Sequence, residues 1–416
     1  MNFKLTKTDI VKSEGDKKIK VNSIVMYYIL SATRGLLLYI PILTVFFTDI
    51  LKDPIKVGLL FSIKSITVFI FELPTGYISD KISRKLSLMI SMILNIISLS
   101  IFILYPKYIA LIIAEIIFGI SETMSSGSDS ALIFDNFTSE KRLKEYDNYQ
   151  RNETFIQSIL LSLSFISGSM IYQYNKDLVF FITIISILIS IIVLSKIIEH
   201  PYKKEVNPDG KGFLKSILQD LKYIVHIKLS LKVLLIIGAI VNALLLSVYF
   251  LVFPIVLSNN TESSFLYGII YCLAVLVYGF GCKAHKYVTD NTNFMNVWSI
   301  LIFCFLFICS YLISNDTFVL ITIIAMRFIW GIYITCFNIS LNRNIDSSEL
   351  RSTIWSVYSL ICNLFSSLST LIFGIIMANK NGINNAFLFI TVALIIVAVI
   401  TNFVTHKNQI IEEDTE

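Results

Sequence analysis

Seven ionisable residues stand inside long apolar stretches of this 416-residue chain: Arg34, Lys64, Glu72, Glu115, Glu122, Asp129 and Arg327. At the centre of a bilayer each would cost at least about 2.5–3.5 kcal/mol, so each calls for a partner or a task. Three of the acids are regularly spaced. Glu115, Glu122 and Asp129 lie seven residues apart, and a seven-residue step drifts only ~20° around a helix. On one helix they share a face, at intervals of about 10 Å from the ~1.5 Å rise per residue. Gly119 and Ser126 fill that face between them. Such a stripe faces a partner helix or a water-filled cavity, not lipid. Two readings of it stand open. In one, Arg34 and Lys64 neutralise Glu122 and Glu115 as fixed ion pairs. In the other, at least one acid carries a proton or holds a cation, because poor solvation penalises its charged form.

Glu122, placed deepest along its stretch, leads the proton-coupling candidates, followed by Glu115, Glu72 and Asp129; solvation at a helix end accounts most easily for Asp129. Arg34 and Lys64 are also cavity or substrate candidates. Arg327 is nearly alone in a second half that is otherwise neutral within its apolar stretches. Trp330 is one turn on, and Asn338 is eleven residues on, again ~20° round the helix. The three would form a polar, aromatic strip lining a ligand path. All four histidines fall in loops or at stretch ends, which sets aside a histidine proton relay.

The elements that must position these groups are membrane helices. The chain is 55% hydrophobic and 15% charged, with a mean hydropathy of +0.75, against roughly 25% charged residues in an ordinary soluble domain. A crossing needs about 20 mostly apolar residues. Twelve such runs occur, at 22–47, 56–79, 86–105, 108–132, 153–174, 177–196, 231–257, 264–282, 295–314, 317–340, 353–378 and 384–405, hereafter spans 1 to 12. Lysine and arginine concentrate on one side, around 4–20, 81–85, 141–151, 197–230, 283–286 and 343–351, and that side is cytoplasmic by the positive-inside rule. Both termini are then cytoplasmic. The net charge of +5 reflects this bias and not nucleic-acid binding. Residues 1–21 form a cytoplasmic segment without the apolar core of a signal peptide. Six spans occupy 22–196 and six occupy 231–405, joined by a linker at 197–230 and followed by a tail at 406–416. Paired hydropathy halves are how parallel repeats appear in secondary transporters. Within the linker, Phe213, Ile217, Leu221, Ile224 and Ile227 recur at three- and four-residue spacing, which predicts an amphipathic helix on the membrane surface.

Other chemistries find little support. The six cysteines lie in or beside the second-half spans without a Cys-x-x-Cys pair, so neither a disulfide nor a metal site is expected. No Ser/His pairing, acid-rich catalytic loop or Gly-Lys-Ser/Thr phosphate loop is present, which argues against an enzyme and against direct ATP drive.

Residues 72–85 read Glu-Leu-Pro-Thr-Gly-Tyr-Ile-Ser-Asp-Lys-Ile-Ser-Arg-Lys, a charged hinge between two spans. With Gly76, Asp80, Lys81, Arg84 and Lys85 in register, it resembles the loop after the second helix in the major facilitator superfamily; Ser83 replaces the usual second glycine. The Glu-x-Pro of Glu72 and Pro74, the run 126–135 and the Arg351-Ser-Thr sequence are similar to bacterial tetracycline- and macrolide-efflux members. The resemblance implies an all-α membrane fold of twelve helices in two six-helix pseudo-repeats. It also implies a central cavity lined by spans 1, 4, 7 and 10. The hinge would act as a gating latch, bringing Asp80 to Arg351 and Ser352 and Arg84 to Asp135. Two departures stand against the drug–proton antiporters of the family. Glu115 occupies the position of the span 4 arginine, and the span 5 Gly-Pro-x-x-Gly-Gly signature is absent. The expectation is a monomeric, cofactor-free secondary transporter in a bacterial cell membrane, exporting a small amphipathic compound on the proton gradient. The alternative is a facilitator or importer of a small anion using Arg34, Lys64 and Arg327. A membrane-embedded enzyme or receptor is the remote third.

Overall fold

The computed structural model describes residues 24–81, 83–126, 128–139, 143–199, 229–260, 264–285, 292–313, 315–343 and 348–413. Every regular element among them is helical. Among the described residues, ten helices are long and apolar enough to cross a membrane, and two shorter apolar stretches, Ile159–Tyr174 and Trp298–Ile313, stand at spans 5 and 9. A bilayer offers no water to backbone groups, so such segments satisfy their hydrogen bonds internally as helices. The helix ends are set locally. Lys52 takes a left-handed conformation (φ 50°) that closes Leu43–Leu51, and Pro54 opens the next helix, Pro54–Lys81, at the position where its missing N–H costs nothing. Asn175 accepts from the amides of Asp177 and Leu178 to start Lys176–Lys196.

Several elements differ from the reading of the sequence. Span 1 is interrupted: residues 24–35 are helical, a turn follows, and the chain re-enters through the 3-10 turn Ile40–Ile42 into Leu43–Leu51. Gly35 and Pro41 flank the break. Span 7 carries a π-helical segment, Val248–Val252, just before Pro254. The helix that follows the break meets the π segment, with the Thr44 hydroxyl donating to the Phe250 carbonyl at 2.5 Å. Span 4 ends early. Tyr108–Ser125 closes at Ser126, whose ψ of 117° leaves the helical region, and a second helix, Ser128–Ser139, begins beyond it. Small hydroxyl residues there satisfy backbone groups locally and favour a stop. The last helix, Gly382–Glu413, continues past the expected span end at 405. The N-terminal 21 residues and the expected surface helix at 213–228 lie outside the described residues.

The halves join through span 2 against span 11 and span 5 against span 8. Span 2 and span 11 approach most closely at two glycines. A Cβ added to Gly58 would lie 2.6 Å from the Thr370 carbonyl oxygen and 2.8 Å from the Gly374 Cα. Small residues at helix crossings let backbones come this near. One turn along, the hydroxyls of Ser62 and Ser367 hydrogen-bond across the same seam at 2.9 Å.

Candidate functional site

The charged groups of the first half gather into two clusters. Lys64 stands with Glu122, Glu115 and Glu72 between spans 2 and 4. Arg34 stands with Asp129 and Glu153 near the start of span 5. Lys64 Nζ sits 2.7 Å from Glu122 Oε2 and 4.8 Å from the centre of the Phe118 ring. Arg34 NH1 donates to Asp129 Oδ2 at 2.9 Å. The pairing therefore differs from the expectation that Arg34 and Lys64 would neutralise Glu122 and Glu115. The break at Ser126 is the reason, because it lets Asp129 leave the line of the stripe and meet span 1. Gly119 permits the intimacy of spans 2 and 4, since a Cβ there would stand 2.9 Å from Thr67 Cβ and 3.0 Å from the Lys64 carbonyl oxygen.

Glu115 is the unusual member. It is 0% exposed, and neither carboxyl oxygen has a hydrogen-bond partner. Lys64 and Glu122 act on it electrostatically from nearby. Glu122, in contrast, is about half exposed, its side chain retaining 49% of its surface. The order of enclosure is thus the reverse of what position along the stretch suggested, because span 4 ends at Ser125 and its midpoint lies nearer Glu115. Glu72 accepts from the Ser126 hydroxyl at 3.1 Å.

Sequence reasoning missed Glu153. Its carboxylate accepts from the Ser31 hydroxyl at 3.1 Å and from the Gln157 and Gln150 amides at 2.8 and 3.2 Å, and it lies within electrostatic reach of Arg34 and Asp129. It opens span 5 directly after a charged run, so composition marked it as a helix-end acid.

In the second half Arg327 is the one buried charged side chain among the described residues. Its guanidinium carbon lies 4.1 Å from the centre of the Tyr249 ring, 4.4 Å from Tyr278 and 4.7 Å from Trp330. Trp330 donates through Nε1 to Asn242 Oδ1 at 3.2 Å. Arg327 and Trp330 therefore stand together. Asn338 stands apart from this cage, partly exposed further along the same helix. Tyr249 and Tyr278 come from spans 7 and 8 and carried no signal linking them to Arg327.

At the hinge, Arg84 pairs with Asp135 through NH1, which also donates to the Ala131 carbonyl at 3.1 Å. Ser79 and Ser128 share a hydrogen bond of 2.8 Å beside them. The space around Gly76 is open, with no heavy atom within 4 Å of an added Cβ, so packing does not require glycine there. The side chains of Asp80, Lys81 and Arg351 lie outside the described residues, and with them the expected approach of Asp80 to Arg351 and Ser352. A second fastening went unforeseen. Glu199 accepts from the Ser83 hydroxyl and from the amides of Arg84 and Lys85, at 2.8 and 3.2 Å for the latter two. Lys85 Nζ donates to the carbonyls of Ser195 and Ile197 at 2.9 and 2.6 Å. The start of Arg84–Leu104 and the end of Lys176–Lys196 therefore cap one another, acid on an N-terminus and base on a C-terminus. Glu199→Ala is expected to destabilise the protein by about 1–2 kcal/mol, and Glu199→Gln by less, since an amide oxygen still accepts. Thermal denaturation of the purified variants in detergent measures this, and equal melting of all three forms would contradict it.

The comparisons agree with this architecture. Residues 24–370 match the family model described as Major Facilitator Superfamily. An uncharacterized MFS-type transporter of Bacillus subtilis (strain 168), YxaM, is 28% identical over 223 residues, 51% of this chain and 53% of that protein. The chain thus aligns with about half the length of that relative. Among solved structures, a mutant form of the nucleoside transporter NupG has a TM-score of 0.76 at 14% identity, with 91% of this chain and 98% of that one covered. The D-xylose-proton symporter has a TM-score of 0.69 at 12% identity, with 92% and 97% covered. At such identities the structural likeness speaks for the fold alone, whereas the family model spans most of the sequence. With twelve apolar helical segments among the described residues, two joined halves and that match together, the chain belongs to the Major Facilitator Superfamily of membrane transporters.

Proposed function

We propose that this transporter moves a small amphipathic compound by alternating access, driven by protons, and that Glu115 carries the proton. One observation supports this above the others: Glu115 is fully enclosed, with both oxygens unpartnered, beside a lysine already bonded to Glu122. A buried carboxylate left unpaired is strongly destabilising. Taking up a proton removes that charge; releasing it restores a claim on Lys64. Lys64 then has two acids to choose between, which is a two-state element that a proton gradient can bias. Export remains the preferred direction, on the likeness of residues 72–85 and 126–135 to efflux members. The lysine and arginine distribution supports a bacterial cell membrane with cytoplasmic termini, which puts the Arg84–Asp135 latch inside and the Gly58–Gly374 seam outside.

The test is transport of a panel of amphipathic dyes (cationic ethidium, anionic fluorescein, neutral Nile red) in proteoliposomes with an imposed pH gradient. Accumulation of at least one dye that collapses on adding a protonophore is expected. Transport of dyes at a rate indifferent to the gradient and to the protonophore would remove proton coupling from the proposal.

A further inference from the structure

The environment of Arg327 has features that neither proton coupling nor packing explains. Its residue surface is 7% exposed, yet no carboxylate pairs with it among the described residues. Its one hydrogen bond to protein there is long, Nε to the Ala274 carbonyl at 3.5 Å, and the terminal nitrogens have no partner. Three aromatic faces hold the cation instead, at 4.1, 4.4 and 4.7 Å. Ring faces attract a guanidinium, but they accept none of its in-plane N–H donors, which keep a planar fork matched to a carboxylate. The phenol oxygen of Tyr249, over whose ring the cation lies, is buried without a hydrogen bond. These terminal donors are unmet by protein yet not sealed from the surrounding space, so an anion arriving there gains charge-assisted hydrogen bonds without displacing existing ones. In the first half the cations are spoken for, Lys64 by Glu122 and Arg34 by Asp129.

We infer that Arg327 is the anion-binding residue of the substrate site, and that the substrate class is a monocarboxylate with an aromatic or apolar body. The fork takes the carboxylate, and the ring edges of Tyr249, Tyr278 and Trp330 take the body. Asn242, bonded to the Trp330 indole, fixes the orientation of that ring. One guanidinium, with no second buried cation among the described residues of the same half, suits a single negative charge; a phosphate dianion would call for more. The inference rests on the transport reading only in taking this cage to lie on the substrate's path. Equilibrium binding needs no gradient, so the two fail separately.

Calorimetric titration of the purified full-length protein in detergent, with protein-free micelles as the blank, tests it. The probes are 2-naphthoate, 2-naphthamide, 2-naphthylmethylammonium and 2-naphthyl phosphate. Naphthoate is expected to bind at least ~10-fold more tightly than the amide or the ammonium, the scale of a charge-assisted bidentate contact. Arg327→Gln should erase that preference, and Arg327→Lys, which keeps the charge but loses the fork, should reduce it. Equal binding of acid and amide to the wild type, which requires no variant to fold, overturns the inference. So does absence of binding by every probe, or a preference that survives Arg327→Gln. Tighter binding of the phosphate than of the carboxylate overturns the monocarboxylate assignment. Loss of gradient-driven dye transport with intact naphthoate binding would instead count against proton coupling alone.

Discussion

Glu115→Gln is expected to lower gradient-driven transport by at least ~100-fold while leaving exchange of substrate across the membrane within about twofold of wild type. Glutamine matches the neutral acid in shape and cannot exchange a proton. It should therefore keep Lys64 on Glu122, 2.7 Å apart in the structure, and leave position 115 permanently uncharged. Steps that carry substrate down its own gradient survive, because they need no change of partner by Lys64. Steps that return the unloaded protein by carrying a proton inward, taken up outside and released inside, do not. Glu122→Gln makes an instructive contrast. It removes the lysine's observed partner at a half-exposed position, so Glu115 becomes the remaining counter-charge and the defect should be partial. Proteoliposomes measured in parallel for pH-driven accumulation and for counterflow separate the two steps. Undiminished pH-driven accumulation by Glu115→Gln would sink the role given to this carboxyl.

Gly374→Val should disable transport by a different route. A Cβ at position 374 would stand 2.9 Å from the Pro54 carbonyl oxygen and 3.0 Å from the Gly58 Cα, both backbone atoms that cannot swing aside. Valine makes the conflict worse and pushes spans 2 and 11 apart. Overpacking of this kind costs typically ~1–3 kcal/mol, which at about 1.4 kcal/mol per tenfold displaces the equilibrium roughly 5- to 150-fold away from the state in which this seam is closed. The reporter lies next door. With native cysteines replaced by alanine, Ser62→Cys and Ser367→Cys should cross-link readily, because the two hydroxyls are 2.9 Å apart in the closed seam. Adding Gly374→Val should cut both the cross-linking yield and transport, with the protein still inserted and folded. Full cross-linking in the valine variant would mean that the seam tolerates the side chain and that the glycines do not govern closure.

The charged residues illustrate how far a one-dimensional reading reaches. Arg34, Lys64, Glu115, Glu122 and Arg327 stood out because an ionisable group in an apolar run is expensive wherever the chain goes. Their partners were not legible. The seven-residue spacing put three acids on one line, and the line broke at Ser126, where the Ser125 and Ser128 hydroxyls donate to the Glu122 and Met124 carbonyls. That break gave Asp129 to Arg34, while the Lys64–Glu122 bond leaves both Glu115 oxygens without a partner. Glu153 and Glu199 had no apolar surroundings in sequence to make them conspicuous, and they acquired their roles through Ser31 and Ser83 on distant helices.

By itself the sequence determined that the chain spans a membrane as two sets of helices, since hydrocarbon admits only segments that satisfy their own backbone groups and apolar length is a property of consecutive residues. It also determined which side chains would be costly to bury. Only the tertiary structure decided what each of them meets. Lys64 is bonded to Glu122 within electrostatic reach of Glu115, and Arg327 lies among the rings of Tyr249, Tyr278 and Trp330. Those contacts depend on the rotation of each helix about its axis and on a few glycines that let backbones touch, and neither quantity is a property of any one segment.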